Sequence, residues 1–174
     1  AELVALNVDQ MSMLKDDMAM LPHTNAMLAL MRDGFVEQSQ GGQVTIDAKG
    51  DPILEYDMTD YMWDGAKRAY LSMAEAQFAA GANKVKMAHL DSTWVNNWKD
   101  AQAQINTLPY KKFRTALFTA HLMGGCMMSE DEKIGVVDRQ GSHHQLENLS
   151  IFDGSVFPTS LGVNPQLSIY ALTA

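Results

Sequence analysis

Cysteine is nearly absent from this sequence: the 174 residues include only Cys126. That excludes an intrachain disulfide and any metal centre built from clustered cysteines. Long apolar runs are missing too, and none approaches the ~20 residues that a membrane-spanning helix needs. Basic charge is scarce. The 13 lysines and arginines are outnumbered by 21 aspartates and glutamates, giving a net charge of −8 and a pI near 4.9. A surface of that sign does not bind nucleic acid non-specifically. The opening residues AELVALNVDQ lack the basic start and apolar core of a secretory signal. The expectation is a soluble chain, with cytoplasm and periplasm both open as its compartment. Also missing are G-x-G-x-x-G, the phosphate-binding P-loop, H-E-x-x-H and G-x-S-x-G. The sequence contains no internal repeat, low-complexity tract or linker.

What remains is ordinary globular composition, with 47% apolar and 20% charged residues. The length suits one domain with a real core. The 13 methionines stand out. Methionine fills irregular gaps and adapts to varied apolar ligands, so a soft core and an apolar binding face are both open.

Met11, Leu14, Met18 and Leu21 recur at helical spacing and predict an amphipathic helix that Pro22 stops. A short second helix is expected from about Thr24 to Arg32. The run QVTIDAKGDPILEY reads as a β-hairpin, with Val44 and Ile46 alternating with polar residues and AKGD as the turn. The clearest helix runs from Asp60 to Ala80, with Thr59 as N-cap and Gly81 after its end. Its inner stripe is expected to be Met62, Ala66, Ala69, Met73, Ala76 and Ala80. NKVKMAHL is a candidate strand, and Ser92 a candidate cap for a helix burying Val95, Trp98 and Ile105. FRTALFTAHLM, the short VVD and LSIFD read as further strands. The mixture predicts an α+β fold, mostly an antiparallel sheet with helices packed on it.

Few residues suggest chemistry. His143 and His144 are adjacent and would diverge on a strand, so a solvated turn suits them better than a metal; no metal site is expected. His23 reads as structural, and His89 is open. His121 ends an apolar strand and enters a Gly-Gly turn. Imidazole titrates near neutrality and can accept an alcohol proton, yet a lone histidine on an apolar face is more often a satisfied core residue, and spacing by itself does not promote it. Asn164-Pro165 also has two readings. Asn is a favoured N-cap and Pro a favoured first helical residue. Alternatively, the helix N-terminus offers free N–H groups to a ligand while the Asn side chain faces a substrate.

Two segments tip the balance. AHLMGGCMM, followed by GVVDRQGSHHQLENLSIFDGSVFPTSLGVNPQLSIYAL, closely resembles the C-terminal part of the glucose–methanol–choline family of flavin oxidoreductases. The family pattern is roughly H-P-x-G-T-x-x-M, then a V-V-D strand, E-N-L leading to D-x-S-x-F-P, and N-P-x-x-T/S-I. VTIDAKGDPILEYDMTD and AAGANKV are similar to the family's middle segment, so the likeness runs from about Val44 to the end.

The resemblance implies that His121 is the catalytic base and Asn164 its partner. It matches Asp153, Gly154 and the Asn164-Pro165-Gln166 backbone to positions that contact FAD. The implied reaction is alcohol oxidation, with a small alcohol as substrate; the Met-rich N-terminal helices suggest an apolar pocket or lid and so an apolar alcohol rather than a sugar. Oxygen, a quinone and a cytochrome are all open as electron acceptors. Leu122 stands where the family usually has Pro, and Gly125 where it usually has Thr or Ser. The family's dinucleotide-binding half has no counterpart in the sequence. The expectation is therefore a C-terminal portion, inactive alone and partnered by an FAD-binding half in cis or as a second chain. Residues 1–150 would be the substrate domain, and residues 151–174 a strand and helix that complete the FAD domain. The rival expectation is a non-enzymatic binding module that kept the fold.

Overall fold

The computed structural model describes residues 15–34, 36–39 and 41–174. Its elements are α1 (described over residues 15–20), a 3-10 turn Leu21–His23, β1 (Gly42–Ile46), β2 (Pro52–Tyr56), α2 (Asp60–Ala79), α3 (Trp98–Thr107), a 3-10 turn Gly154–Val156 and α4 (Gln166–Thr173). Met11 and Leu14, expected on the first helix, lie outside the described residues. Thr24–Arg32 does not form the expected second helix: it is an irregular, mostly exposed segment. Pro22 sits in the 3-10 turn, and Thr24 beyond it is already extended, so no helix restarts.

The expected hairpin is present. Val44 pairs with Leu54 and Ile46 with Pro52. Asp47 makes the turn, its Oδ1 accepting from the Lys49 and Asp51 N–H groups at 2.7 and 2.9 Å. The strand begins earlier than expected, at Gly42, where a Cβ would overlap the Glu55 carbonyl oxygen.

α2 also forms where expected, with the Thr59 side chain capping the Met62 N–H. Its buried row differs. Met62, Ala66, Tyr70 and Ala74 face inward, whereas Ala76 and Ala80 are exposed. The inner face follows a straight four-residue row that admits a tyrosine, because the Tyr70 hydroxyl donates to the Ala88 carbonyl at 2.6 Å. Tyr70 and Ala74 pack with Met87, Ala101, Ile105 and Leu108 into the main core between α2 and α3. Burial raises the Tyr70 and Tyr110 phenol pKa values in this core.

α3 is capped by Asn97, not Ser92. Ser92 is fully buried; its hydroxyl accepts the Met87 N–H at 3.1 Å and donates to Gln104 Oε1 at 2.8 Å. α1 is tied to the loop between α2 and α3 through Asp17. Lys86 Nζ lies 2.6 Å from one carboxylate oxygen, and the Trp94 indole N–H donates to the other at 2.8 Å.

The large antiparallel sheet is not formed. Among the described residues, the hairpin is the only sheet. The expected strands at 83–90, 113–123, 136–138 and 149–153 are extended loops joined by single bridges: Val85 with Val95, His89 with Thr115, Val137 with both Met128 and His143, and Ser142 with Ser150. Local side chains take the backbone groups that a ladder would need. His89 Nδ1 accepts the Asp91 N–H, Asp138 Oδ1 accepts from Gln140 and Ser142, and His143 Nδ1 accepts from Gln145 and Leu146. Phe113, at φ 65°, turns the chain at the start of its expected strand. The mixed helix-and-hairpin content remains compatible with an α+β class.

Candidate active site

The segment after His121 is fixed by the chain that leads to α4. The Cys126 N–H donates to the Ser155 carbonyl at 3.0 Å and the Met128 N–H to the Val156 carbonyl at 2.9 Å. Val156 and Val137, the two residues whose backbones pair with Met128, are both fully buried. Gly154 lets the two backbones meet: a Cβ there would stand 2.9 Å from the Leu122 carbonyl oxygen and 3.7 Å from Ile169 Cδ1. One glycine thus touches both the His121 turn and α4.

That packing opens a cleft of about 320 Å3 lined by Ala120, His121, Asn164, Pro165, Gln166, Ile169 and Tyr170. His121 and Asn164, widely separated in sequence, share it, and both are exposed. Pro165 is buried and occupies the N-cap position just before α4, and no side chain caps the helix. The Asn side chain therefore does not take the N-cap role that its sequence context favoured.

The other expected residues divide. Pro165 and Gln166 line the cleft; Asp153 and Gly154 lie outside its lining. Asp153 caps the 3-10 turn, its Oδ1 accepting from the Ser155 N–H at 2.8 Å and the Ser155 hydroxyl at 2.5 Å. Those two hydrogen bonds hold its carboxyl below the usual carboxylate range. Gly125, in place of the family's Thr or Ser, leaves room: a Cβ there would be 3.8 Å from Ser155 Cβ.

The remaining histidines are accounted for structurally, apart from exposed His23. The buried His89 ring accepts the Asp91 N–H at Nδ1, so Nε2 carries the proton that it donates to the Pro109 carbonyl at 3.0 Å. His144 Nε2 bonds the Ser129 carbonyl at 2.9 Å. Among the described residues no cluster could hold a metal ion.

Sequence reasoning missed Tyr170 and Ile169 on the cleft wall. The available signal was the four-residue spacing on α4: Gln166 Nε2 donates to the Tyr170 hydroxyl at 2.8 Å, and Pro165 and Ile169 share the adjoining row. No helix among the described residues is long and apolar enough to cross a membrane.

Comparison with known proteins agrees with the motifs. The chain is 32% identical over 123 residues to the uncharacterized GMC-type oxidoreductase y4nJ of Sinorhizobium fredii, covering 70% of the chain and 24% of that protein. It is 32% identical over 171 residues to long-chain-alcohol oxidase FAO1 of Arabidopsis thaliana, covering 90% of the chain and 21% of that protein. A 55-residue stretch is 49% identical to a cholesterol oxidase of Acinetobacter baumannii, covering 32% of the chain and 10% of that protein. The chain thus spans a quarter or less of the length of these relatives. The model of the GMC oxidoreductase C-terminal domain matches residues 37–173, and the chain belongs to that family of oxidoreductases.

Proposed function

We propose that this chain supplies the substrate-facing wall of an FAD-dependent alcohol oxidoreductase, with His121 as the base and Asn164 as its partner. The observation that carries the reading is the shared cleft: an imidazole and a carboxamide, each free of the structural hydrogen bonds that occupy His89 and His144, border one cavity.

GMC oxidoreductases are generally FAD-dependent, and the residues present fit one end of that cofactor. A cleft of about 320 Å3 sits at the small end of ligand pockets. It has room for a ring edge and a small substrate, not for adenine and pyrophosphate as well. The uncapped start of α4, with the Gln166 side chain beside it, offers hydrogen-bond donors and a partial positive charge to an electron-rich ring edge. Asp153 has its carboxylate engaged by Ser155, so it and Gly154 would meet the cofactor through backbone.

Bound FAD would supply a hydride acceptor for the carbinol carbon. His121 takes the hydroxyl proton as that carbon is oxidised to a carbonyl. The Asn164 carboxamide donates to the developing alkoxide and fixes its direction. Ala120, Pro165 and Ile169 give the cleft an apolar wall beside the reacting groups.

An apolar alcohol suits those walls, and two of the relatives are named for long-chain alcohols and cholesterol. The rest of the cofactor site would come from an FAD-binding half, in cis or as a second chain, with residues 151–174 packing into it. Exposure supports this. Leu167 is 80% exposed on α4, and Val44, Ile46 and Leu54 form a bare apolar hairpin face.

The test is flavin bleaching by alcohol under anaerobic conditions in the full-length protein, or in this chain plus an FAD-binding half. His121→Ala should retain the flavin spectrum and lose bleaching. Bleaching at the unmutated rate would remove His121 as base. Flavin binding with no response to any alcohol would favour the binding-module reading.

A further inference from the structure

Met123 stands two positions after His121 and is half-buried, and its sulfur does something unusual. Met123 Sδ accepts the Leu161 N–H at 3.4 Å. Leu161 lies three positions before Asn164, in a stretch with no strand or helix to fix it. The hydrogen bond therefore spans directly from the His121 turn to the segment that delivers Asn164. The firmer stitches, Cys126 to Ser155 and Met128 to Val156, lie further from both residues. Gly124, at φ 86°, makes the turn that brings residues 123–124 alongside Phe157 and Pro158.

We propose that Met123 is a positioning residue: its thioether, by accepting the Leu161 N–H, sets the spacing between His121 and Asn164 across the cleft. The inference rests on the alcohol-oxidation reading for its kinetic consequence, though the clasp itself does not. A thioether suits the task. It is a weak acceptor, yet it satisfies a part-buried N–H, and its flexible chain can adapt to the loop without demanding a second partner. Without it, the Leu161 N–H has no acceptor and Leu161 gains freedom between Thr159 and Gly162, which keep their neighbours Gly34 and Arg32. Reaction rates fall by up to about 100-fold per ångström of misplacement, so a sub-ångström loosening should show in turnover more than in substrate binding.

The experiment uses the full-length holoprotein with two substitutions. Met123→Leu keeps the bulk and removes the acceptor. Met123→Gln keeps the length and restores an acceptor oxygen. In Met123→Leu, amide exchange at Leu161 should accelerate at least tenfold. Its kcat should fall about tenfold, in line with that distance dependence, while KM stays within twofold. Met123→Gln should recover Leu161 protection and most of kcat. Unchanged Leu161 exchange in Met123→Leu overturns the clasp. Equal damage in both variants overturns it too, because bulk and softness, not the acceptor, would then be what matters. His121→Ala, measured alongside, separates the two readings. If it still reduces flavin, the base assignment fails while the exchange data continue to decide the clasp.

Discussion

Gly154→Ala tests the geometry of the site at its tightest point. The added methyl would lie 2.9 Å from the Leu122 carbonyl oxygen, a backbone atom that cannot rotate aside. Carbon–oxygen contacts settle near about 3.3–3.6 Å, so the two backbones must part by roughly half an ångström. Overpacking of this kind costs about 1–3 kcal/mol, which for a domain of this size lowers Tm by about 2–12 °C. The displacement falls between His121 and α4. At up to 100-fold per ångström, half an ångström predicts about a tenfold loss of turnover. Gly125→Ser is the internal control. Its Cβ would find Ser155 Cβ at 3.8 Å, an ordinary contact, so stability should change by no more than about 0.5 kcal/mol. Thermal unfolding and anaerobic flavin reduction read both arms. A Gly154→Ala protein with unaltered Tm and turnover would refute the argument, as would a Gly125→Ser protein that is equally impaired.

Three further outcomes concern the scaffold. Ile105→Ala empties a fully buried position between α2 and α3 and should destabilise by about 2–5 kcal/mol in denaturant titration. Ser92→Ala strips the Met87 N–H and Gln104 Oε1 of a buried partner and should cost about 1–3 kcal/mol. Asp17 should tie α1 down in a pH-dependent way. Burial pushes its carboxyl up, but hydrogen bonds from Lys86 and Trp94 outweigh burial, and the net shift is downward. A lowered folded-state pKa contributes stability above the ordinary carboxyl value and loses it as pH falls through the folded value. The Trp94 indole N–H resonance should therefore hold its position through mildly acidic pH and move only below about pH 4; movement near neutrality would count against the tether.

Legibility in the sequence followed the range of the interactions involved. α2 was readable because Thr59, Asp60 and Gly81 punctuate it locally, and the hairpin because AKGD is a self-contained turn. The α2 face was misread because a tyrosine looks polar until Ala88, far along the chain, supplies a carbonyl. The strands at 83–90 and 113–123 were misread for the opposite reason. Alternation promises a strand, but a strand needs a continuous partner, and here 83–90 meets two different partners at single bridges, the His89 ring takes the Asp91 N–H, and Phe113 turns the chain. His121 and Asn164 were legible only through the family motif. Nothing local distinguishes His121 from His89, and what separates them is the set of hydrogen bonds around each ring.

The start of α4 offers the most direct separation of stability from function. A helix with no capping side chain forgoes stabilisation that Asn commonly provides, and the residue before Pro165 is an Asn that does not cap. If a carboxamide is held out toward the cleft for chemistry, then Asn164→Asp should improve the fold and damage the activity. The new carboxylate sits by the positive end of the helix dipole, worth about 0.3–1 kcal/mol, or roughly 1–4 °C in Tm for a domain of this size. The same charge faces a developing alkoxide and removes the donor that stabilises it, for which losses of about 100- to 1,000-fold in turnover are typical. Opposite signs in the two assays are what a residue kept for function at the expense of stability produces. A variant that is both less stable and fully active would mean that Asn164 supports the fold and leaves the chemistry to others.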